Sequence, residues 1–257
     1  MRATLPTTAV KPRKSAEIVA GRLRLVIVNG ELAKGDMLPV ERDLVESFGV
    51  SRATMREALR ILEAEGLLEV ARGARGGARV IGPTLALASH AVGMVLQAEG
   101  TRLSDVQVAR QIIEPPAARL VAERPAAERE QAVASLREAL EEERSAVATG
   151  DFSYKAMAFH EKLVQLSGNR TLATFLLVLH DIHEGVSAWL SQEVSHARDL
   201  IRARTLSYHE QLIRHIAGGD GDSAEALWRE YWRWIVPFTH PEQAVVDVLR
   251  NLGDDNE

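Results

Sequence analysis

Between residues 39 and 83 the chain is interrupted so often that only short elements fit. Pro39, Gly49, Gly66 and the pair Gly82-Pro83 each break regular structure, and the run Arg72-Gly73-Ala74-Arg75-Gly76-Gly77 adds a flexible stretch before the last of them. The apolar residues between the breaks have two periods. Leu44, Val45 and Phe48 share one face of a helix expected over Pro39 to Phe48. Met55, Leu59 and Leu62 form the stripe of a second, opening at Ser51 and stopping at Gly66. Leu67, Leu68 and Val70, then Ala78 and Val80, read as two small strands joined by the basic glycine-rich loop. Upstream, Ser15 can cap a helix carrying Ile18, Val19, Leu23, Val26 and Ile27, which ends near Asn29-Gly30. Met37-Leu38 leaves room for one small strand. Three helices and a hairpin therefore fit within the first 82 residues.

Beyond Gly82-Pro83 the pattern turns helical almost throughout. The expected segments are Leu85–Ala98, Leu103–Glu123, Ala127–Thr149, Phe152–Leu166, Thr171–Glu193, Ala197–Ala217 and Ser223–Val236, an all-helical bundle with short connections. Pro115-Pro116 predicts a kink in the second of these. The fold class is thus mainly α: an N-terminal winged helix-turn-helix followed by a C-terminal helical bundle. The boundaries divide the chain into a flexible arm over 1–14, a DNA-binding domain over 15–82, an effector-binding and dimerisation domain over 83–240, and a C-terminal tail over 241–257 that is polar after Leu249.

Charge separates along the same line. Residues 1–82 hold 14 Lys/Arg against 10 Asp/Glu, a net of +4, whereas residues 83–257 hold 17 against 26, a net of −9. A mildly basic head on an acidic body suits a protein that meets phosphate at one end. The chain has no cysteine, which removes disulfides and thiolate metal sites and fits a cytoplasmic location. Met1 to Lys14 lacks the apolar run of a signal peptide, and no stretch of about 18 apolar residues predicts a membrane span.

The second short helix carries the residue types that read DNA. Arg52 and Arg56 lie four apart on one face, away from the Met55–Leu59–Leu62 stripe, so both can point into a major groove. Ser51 and Thr54 sit at the helix N-terminus, where backbone N–H groups can hold a phosphate. Arg42, one turn into the preceding helix, is placed for a flanking phosphate. Arg72, Arg75 and Arg79 lie on or beside a loop whose glycines permit close approach to the minor groove. Exposed arginines are often merely solvated; the order helix, turn, basic helix, basic hairpin raises the DNA reading above that alternative.

The stretches Gly35-Asp36-Met37-Leu38-Pro39-Val40-Glu41-Arg42-Asp43-Leu44, Phe48-Gly49-Val50-Ser51-Arg52-Ala53-Thr54-Met55-Arg56-Glu57-Ala58-Leu59 and Leu62-Glu63-Ala64-Glu65-Gly66-Leu67 resemble the GntR family of transcription regulators. The resemblance spans roughly residues 15–80. Lys34-Gly35 stands where the family has proline-glycine, a departure confined to a turn. It implies that Arg42, Arg52, Thr54 and Arg56 contact operator DNA and that Gly76 or Gly77 enters the minor groove. In the body, Arg110-Gln111-Ile112-Ile113-Glu114-Pro115, Phe159-His160 with Ser167-Gly168-Asn169, and Tyr208-His209-Glu210 with Gly219-Asp220 resemble the FadR-type branch with its FCD helical domain, over about residues 84–240.

That resemblance implies a homodimer on a palindromic double-stranded operator, repressing a catabolic operon until a small effector binds. Many FCD domains hold a divalent metal through one aspartate and three histidines. Here His160 and His209 match two of them, but Ala156 and Tyr231 occupy the other two positions, so no metal cofactor is expected. His180 and His183, three apart on one helix, are more often packing residues than substitutes. The expected effector residues are Arg110, His160, His209 and Tyr231. Arg110 either clamps a carboxylate or pairs with Glu114 on its own helix. Trp228, Tyr231, Trp232 and Trp234 serve core or interface packing, or line a cavity for a larger, more apolar acyl effector in place of a small organic acid. Two competing readings are a non-specific architectural DNA-binding protein and a helical-bundle enzyme; the body shows no nucleophile with an evident base.

Overall fold

A computed structural model describes residues 11–71, 77–187, 198–238 and 244–248. The chain forms two compact units, Met1–Leu87 and Ala88–Glu257.

The first unit opens with α1 (Lys11–Val28), followed by α2 (Glu41–Phe48) and α3 (Arg52–Ala64), and then the hairpin β1 (Leu68–Val70) and β2 (Ala78–Val80). Helix α1 begins four residues ahead of Ser15 and buries Ala16, Val19, Ala20, Leu23 and Ile27, while Ile18 faces solvent. The two alanines, not Ile18, let the helix sit close on α3. Arg24 then locks it there: its Nε and Nη2 donate to Glu65 just past α3, at 2.8 and 2.6 Å. Gly49 ends α2 in the left-handed region (φ 63°), its N–H donating back to Glu46. A side chain there would be strained, which is why the turn between the two helices needs glycine. Met55, Ala58, Leu59 and Leu62 bury the inner face of α3. The strands pair antiparallel, Leu68 opposite Val80 and Val70 opposite Ala78. The Met37 segment lies on the far side of β2 as an isolated bridge with Arg79.

The second unit contains α4 (Leu85–Ala98, whose first turn precedes the unit), α5 (Leu103–Ala122), α6 (Ala126–Thr149), α7 (Phe152–Leu166), α8 (Arg170–Ser187), α9 (Arg198–Gly218) and α10 (Gly221–Ile235), with a 3-10 turn at Val236–Phe238. The main core joins α5, α6, α7, α9 and α10 through Val121, Leu136, Leu140, Phe159, Leu163, Leu212, Ile216, Trp228 and Trp232, all buried. Helix α5 continues through Pro115 and Pro116 as one helix. Each proline removes one helical N–H, leaving the carbonyls of Gln111 and Ile112 without their usual donors; Ile112 is exposed, so water can serve there. Residues 244–248 are structured. Leu103 N–H donates to Ala244 and Val246 N–H to Thr101, both at 2.9 Å, and Val246 joins Leu103, Val106, Val178 and Ile182 in a second, smaller core. Among the described residues no helix is long and apolar enough to cross a membrane.

Candidate functional site

In the first unit the outer face of α3 gathers the residues expected to read DNA. Ser51 caps the helix: its Oγ accepts the Thr54 N–H at 3.1 Å and shares a hydrogen bond of 2.9 Å with the Thr54 hydroxyl. The cap fixes where the helix begins, and so which way the next turn of side chains points. Arg52 and Arg56 follow on the exposed face, and Arg52 makes no ion pair among the described residues. The Arg56 Nε donates to both carboxylate oxygens of Glu41, at 3.0 and 3.1 Å. Arg42 is exposed on the first turn of α2, and its one ion pair among the described residues is with its neighbour Asp43, at 3.1 Å. Arg42, Ser51, Arg52, Thr54 and Arg56 therefore all lie on α2, α3 or the turn between them.

The wing divides differently. Arg72, Arg75 and Gly76 lie outside the described residues. Gly77 closes the hairpin, its carbonyl accepting the Ala71 N–H at 3.0 Å. A Cβ on Gly77 would come within 2.6 Å of the terminal methyl of Met37, a flexible side chain that can move aside. Arg79 is exposed on β2 and donates to the Gly35 carbonyl at 3.2 Å.

In the second unit Arg110, His160, His209 and Tyr231 converge, as all four lie in one buried polar cluster. Its centre is Glu114 on α5, fully buried. One carboxylate oxygen accepts from the Arg110 Nε and Nη2 at 3.2 and 3.1 Å. The other accepts from His160 Nδ1, from Trp228 Nε1 at 3.1 Å and from Trp232 Nε1 at 3.2 Å. Burial works against the Glu114 charge, but His160 and the Arg110 guanidinium outweigh it and hold the carboxyl at about 2. Burial pushes the His160 imidazole down, against the pull of the neighbouring Glu114 carboxylate. Arg110 also lies over the Trp232 ring at 4.6 Å. Of the two readings of Arg110, the pairing with Glu114 is the one realised: the guanidinium is buried and committed.

His209 occupies a parallel arrangement. Its Nδ1 meets Glu143 Oε2 at 2.7 Å, and its ring stacks on Phe159 with centroids 4.0 Å apart and planes at 7°. The Glu143 Oε1 and the His209 Nε2 are buried, and neither has a hydrogen-bond partner among the described residues. The rings of His160, His209 and Tyr231 stand 5.3 to 5.6 Å apart. Desolvation pushes the Tyr231 phenol far up, and the carboxylates of Glu143 and Glu114 add to the shift. On α8, His180 Nδ1 bonds Glu161 at 2.9 Å, and burial pushes the imidazole down to about 2.

A divalent metal does not fit this cluster. Ala156 offers no donor, and the Tyr231 phenol resists ionisation. His160 and His209 each spend one ring nitrogen on a glutamate, leaving at most two imidazole nitrogens. Among the described residues no group of three or more His, Cys, Asp or Glu is placed to hold an ion.

Sequence reasoning missed Glu143, and a signal was present. It follows Leu136 and Leu140 on the stripe that α6 buries, where an acidic residue demands a partner. Two neighbouring glutamates, Glu141 and Glu142, hid it.

Comparison with known proteins agrees with this division. Residues 15–80 match the family "Bacterial regulatory proteins, gntR family", and residues 105–233 match the FCD domain. The chain is 31% identical over 207 residues to the HTH-type transcriptional regulator LutR of Bacillus subtilis (strain 168), covering 78% of this chain and 90% of that one. It is 29% identical over 227 residues to the Uxu operon transcriptional regulator of Escherichia coli (strain K12), covering 86% of each. Among solved structures, Streptococcus agalactiae GntR superposes with a TM-score of 0.64 at 24% identity, over 86% of this chain and 98% of that one, which shows a shared fold. The expected FadR-type subfamily is corrected by these matches. The stretches that suggested it, around Arg110–Pro115, Phe159-His160 and Tyr208–Glu210, build the helical core of the FCD domain and so carry the domain, not the subfamily. The chain belongs to the gntR family of bacterial regulatory proteins with an FCD ligand-sensing domain, and is a regulator of transcription and not an enzyme.

Proposed function

We propose that this regulator represses a catabolic operon by binding a palindromic operator as a homodimer and releasing it when a small effector enters the helical unit. Two relatives support the direction: NanR of Cronobacter sakazakii (strain ATCC BAA-894), 28% identical over 221 residues, is named a repressor, as is the galactonate operon transcriptional repressor of Escherichia coli (strain K12), 28% identical over 206 residues. In this reading α3 enters the major groove. Arg52 and Arg56 read base edges, Ser51 and Thr54 meet the backbone at the helix N-terminus, and Arg42 takes a flanking phosphate. Arg75, Gly76 and Gly77 belong to a wing that reaches the minor groove. The domain roles follow: residues 15–82 bind DNA, and residues 83–240 bind effector and dimerise.

The single observation that carries the reading is the pair Arg52 and Arg56, side by side on the exposed face of a helix whose first turn is fixed by the Ser51 cap. The test is operator binding by the full chain, using a site selected from random DNA. Arg52→Ala should weaken specific binding about tenfold or more while leaving the unfolding midpoint in place. Unchanged affinity refutes the assignment of α3. Equal affinity for selected and scrambled DNA at moderate salt points instead to an architectural protein.

For the effector, His160, His209 and Tyr231 form the ring-lined region at the centre of the helical unit, without a metal. Arg110, held by Glu114, is not free to clamp a carboxylate. The proposed effector is therefore a compound with a sizeable apolar body. Calorimetric titration in which only small hydrophilic acids bind would refute this.

A further inference from the structure

We infer that Glu41 is a positioning residue for DNA recognition: it holds Arg56 by the Nε edge, aims the guanidinium and limits binding to the wrong sequence. This rests on the reading of α3 as the recognition helix. Glu41 is the first residue of α2, and Arg56 lies in the second turn of α3. The bond between them spans the two helices of the motif, joining residues fifteen apart. Both carboxylate oxygens accept from the one Nε, at 3.0 and 3.1 Å. Two other charged groups line the same shallow recess, but neither competes for Arg56 in this arrangement. Glu63 accepts the Val70 backbone N–H at 3.3 Å, and Arg60 lies 3.9 Å from Glu57.

An arginine side chain has many rotamers, and a guanidinium that must meet the O6 and N7 of a guanine needs one plane and one direction. Fixing Nε leaves Nη1 and Nη2 as the outward edge, which is the edge that pairs with guanine. The carboxylate also cancels the arginine's charge. An exposed pair of this kind adds little stability, so its effect falls on binding. Without Glu41, Arg56 becomes a mobile cation able to settle on any phosphate, and affinity for all sequences rises while discrimination falls.

The test uses the full chain and an operator selected from random DNA, with each base pair of the half-site varied in turn. Arg56→Ala first identifies the base pair that Arg56 reads. Glu41→Ala should relax preference at that same base pair about tenfold, strengthen binding to scrambled DNA, and steepen the salt dependence by about one in log–log slope. Glu41→Gln, which keeps an acceptor for Nε but loses the charge, should retain the base preference and still show the steeper slope. In the Arg56→Ala background, Glu41→Ala should no longer alter base preference. If Glu41→Ala leaves the preference intact, or if its effect persists without Arg56, the inference is overturned. If Arg56→Ala changes no base preference at all, the reading of α3 fails instead.

Discussion

Replacing Glu114 with alanine removes the acceptor on which four donors converge. The Arg110 guanidinium, buried alongside it, would lose its ion-pair partner, which in comparable sites costs about 3–5 kcal/mol. The N–H groups of His160, Trp228 and Trp232 would lose their partners too, each worth about 1–3 kcal/mol alone. These terms overlap, because one admitted water can serve several donors, so the expected loss is about 5 kcal/mol. That is a large share of the ~5–15 kcal/mol a domain possesses. Urea unfolding followed by tryptophan emission isolates the effect, since Trp189, Trp228, Trp232 and Trp234 all lie in the second unit. The midpoint should fall by about 2 M for a slope of 2–3 kcal/mol per molar. Glu114→Gln should cost less, because an amide oxygen can still accept from the imidazole and the indoles while its nitrogen faces Arg110. A loss below about 1 kcal/mol for the alanine variant would mean that the four hydrogen bonds do not organise this core.

Acid should weaken the second unit in two stages. Stability falls from near pH 6.5, where an unfolded His180 takes up a proton that the buried ring refuses, and falls more steeply below 4.5, where unfolded Glu114 is protonated while the folded carboxyl stays ionised down to about 2; unfolding midpoints across this range check it, and His180→Gln should flatten the first stage. Ser51→Ala should cost about 1 kcal/mol through the lost cap and weaken operator binding beyond that, measured by melting and by gel shift. Gly49→Ala should cost about 1 kcal/mol from its left-handed backbone alone, since nothing lies within 4 Å of the added Cβ, and a thermal melt of the first unit reads it directly. Exchanging Glu143 and His209 together for leucine and phenylalanine should raise the urea midpoint, because two unpaired polar atoms disappear and the stack on Phe159 is kept.

The N-terminal unit was legible because local signals there agree with one another. Ser51 before Met55, Leu59 and Leu62 announces a capped amphipathic helix, and Gly49 and Gly66 mark its limits. Arg52 and Arg56 fall off that apolar stripe and are found exposed, as spacing requires. Even so, spacing could not show that Arg56 is held by a residue fifteen positions away, since a contact between two helices has no period. In the second unit the helices were readable but the partners were not. The Arg110–Glu114 pair is local and was foreseen as one of two readings. The bonds from Glu114 to His160, Trp228 and Trp232 span 46 to 118 residues and depend on how α5, α7 and α10 pack. The strand-like segment at 244–248 falls in the stretch read as a C-terminal tail; its anchor is Thr101 and Leu103, more than a hundred residues earlier.

The two buried acidic residues of the helical core, Glu114 and Glu143, are treated unequally. Glu114 has a cation and three further donors, so both of its oxygens are engaged and the surrounding rings are fixed. Glu143 has one hydrogen-bonding partner among the described residues, His209. If His209 donates from Nδ1, its Nε2 carries a lone pair and no proton, so the pair places two unpaired acceptors in the core, Nε2 and the Glu143 Oε1. Each such group costs about 1–3 kcal/mol where water cannot reach it. A core selected only for stability would fill that position with apolar side chains, as it does along the rest of α6 at Leu136 and Leu140. The Glu114 cluster, with every oxygen engaged, is therefore the more firmly held of the two, and the Glu143–His209 pair is the part of this core that apolar replacement would relieve.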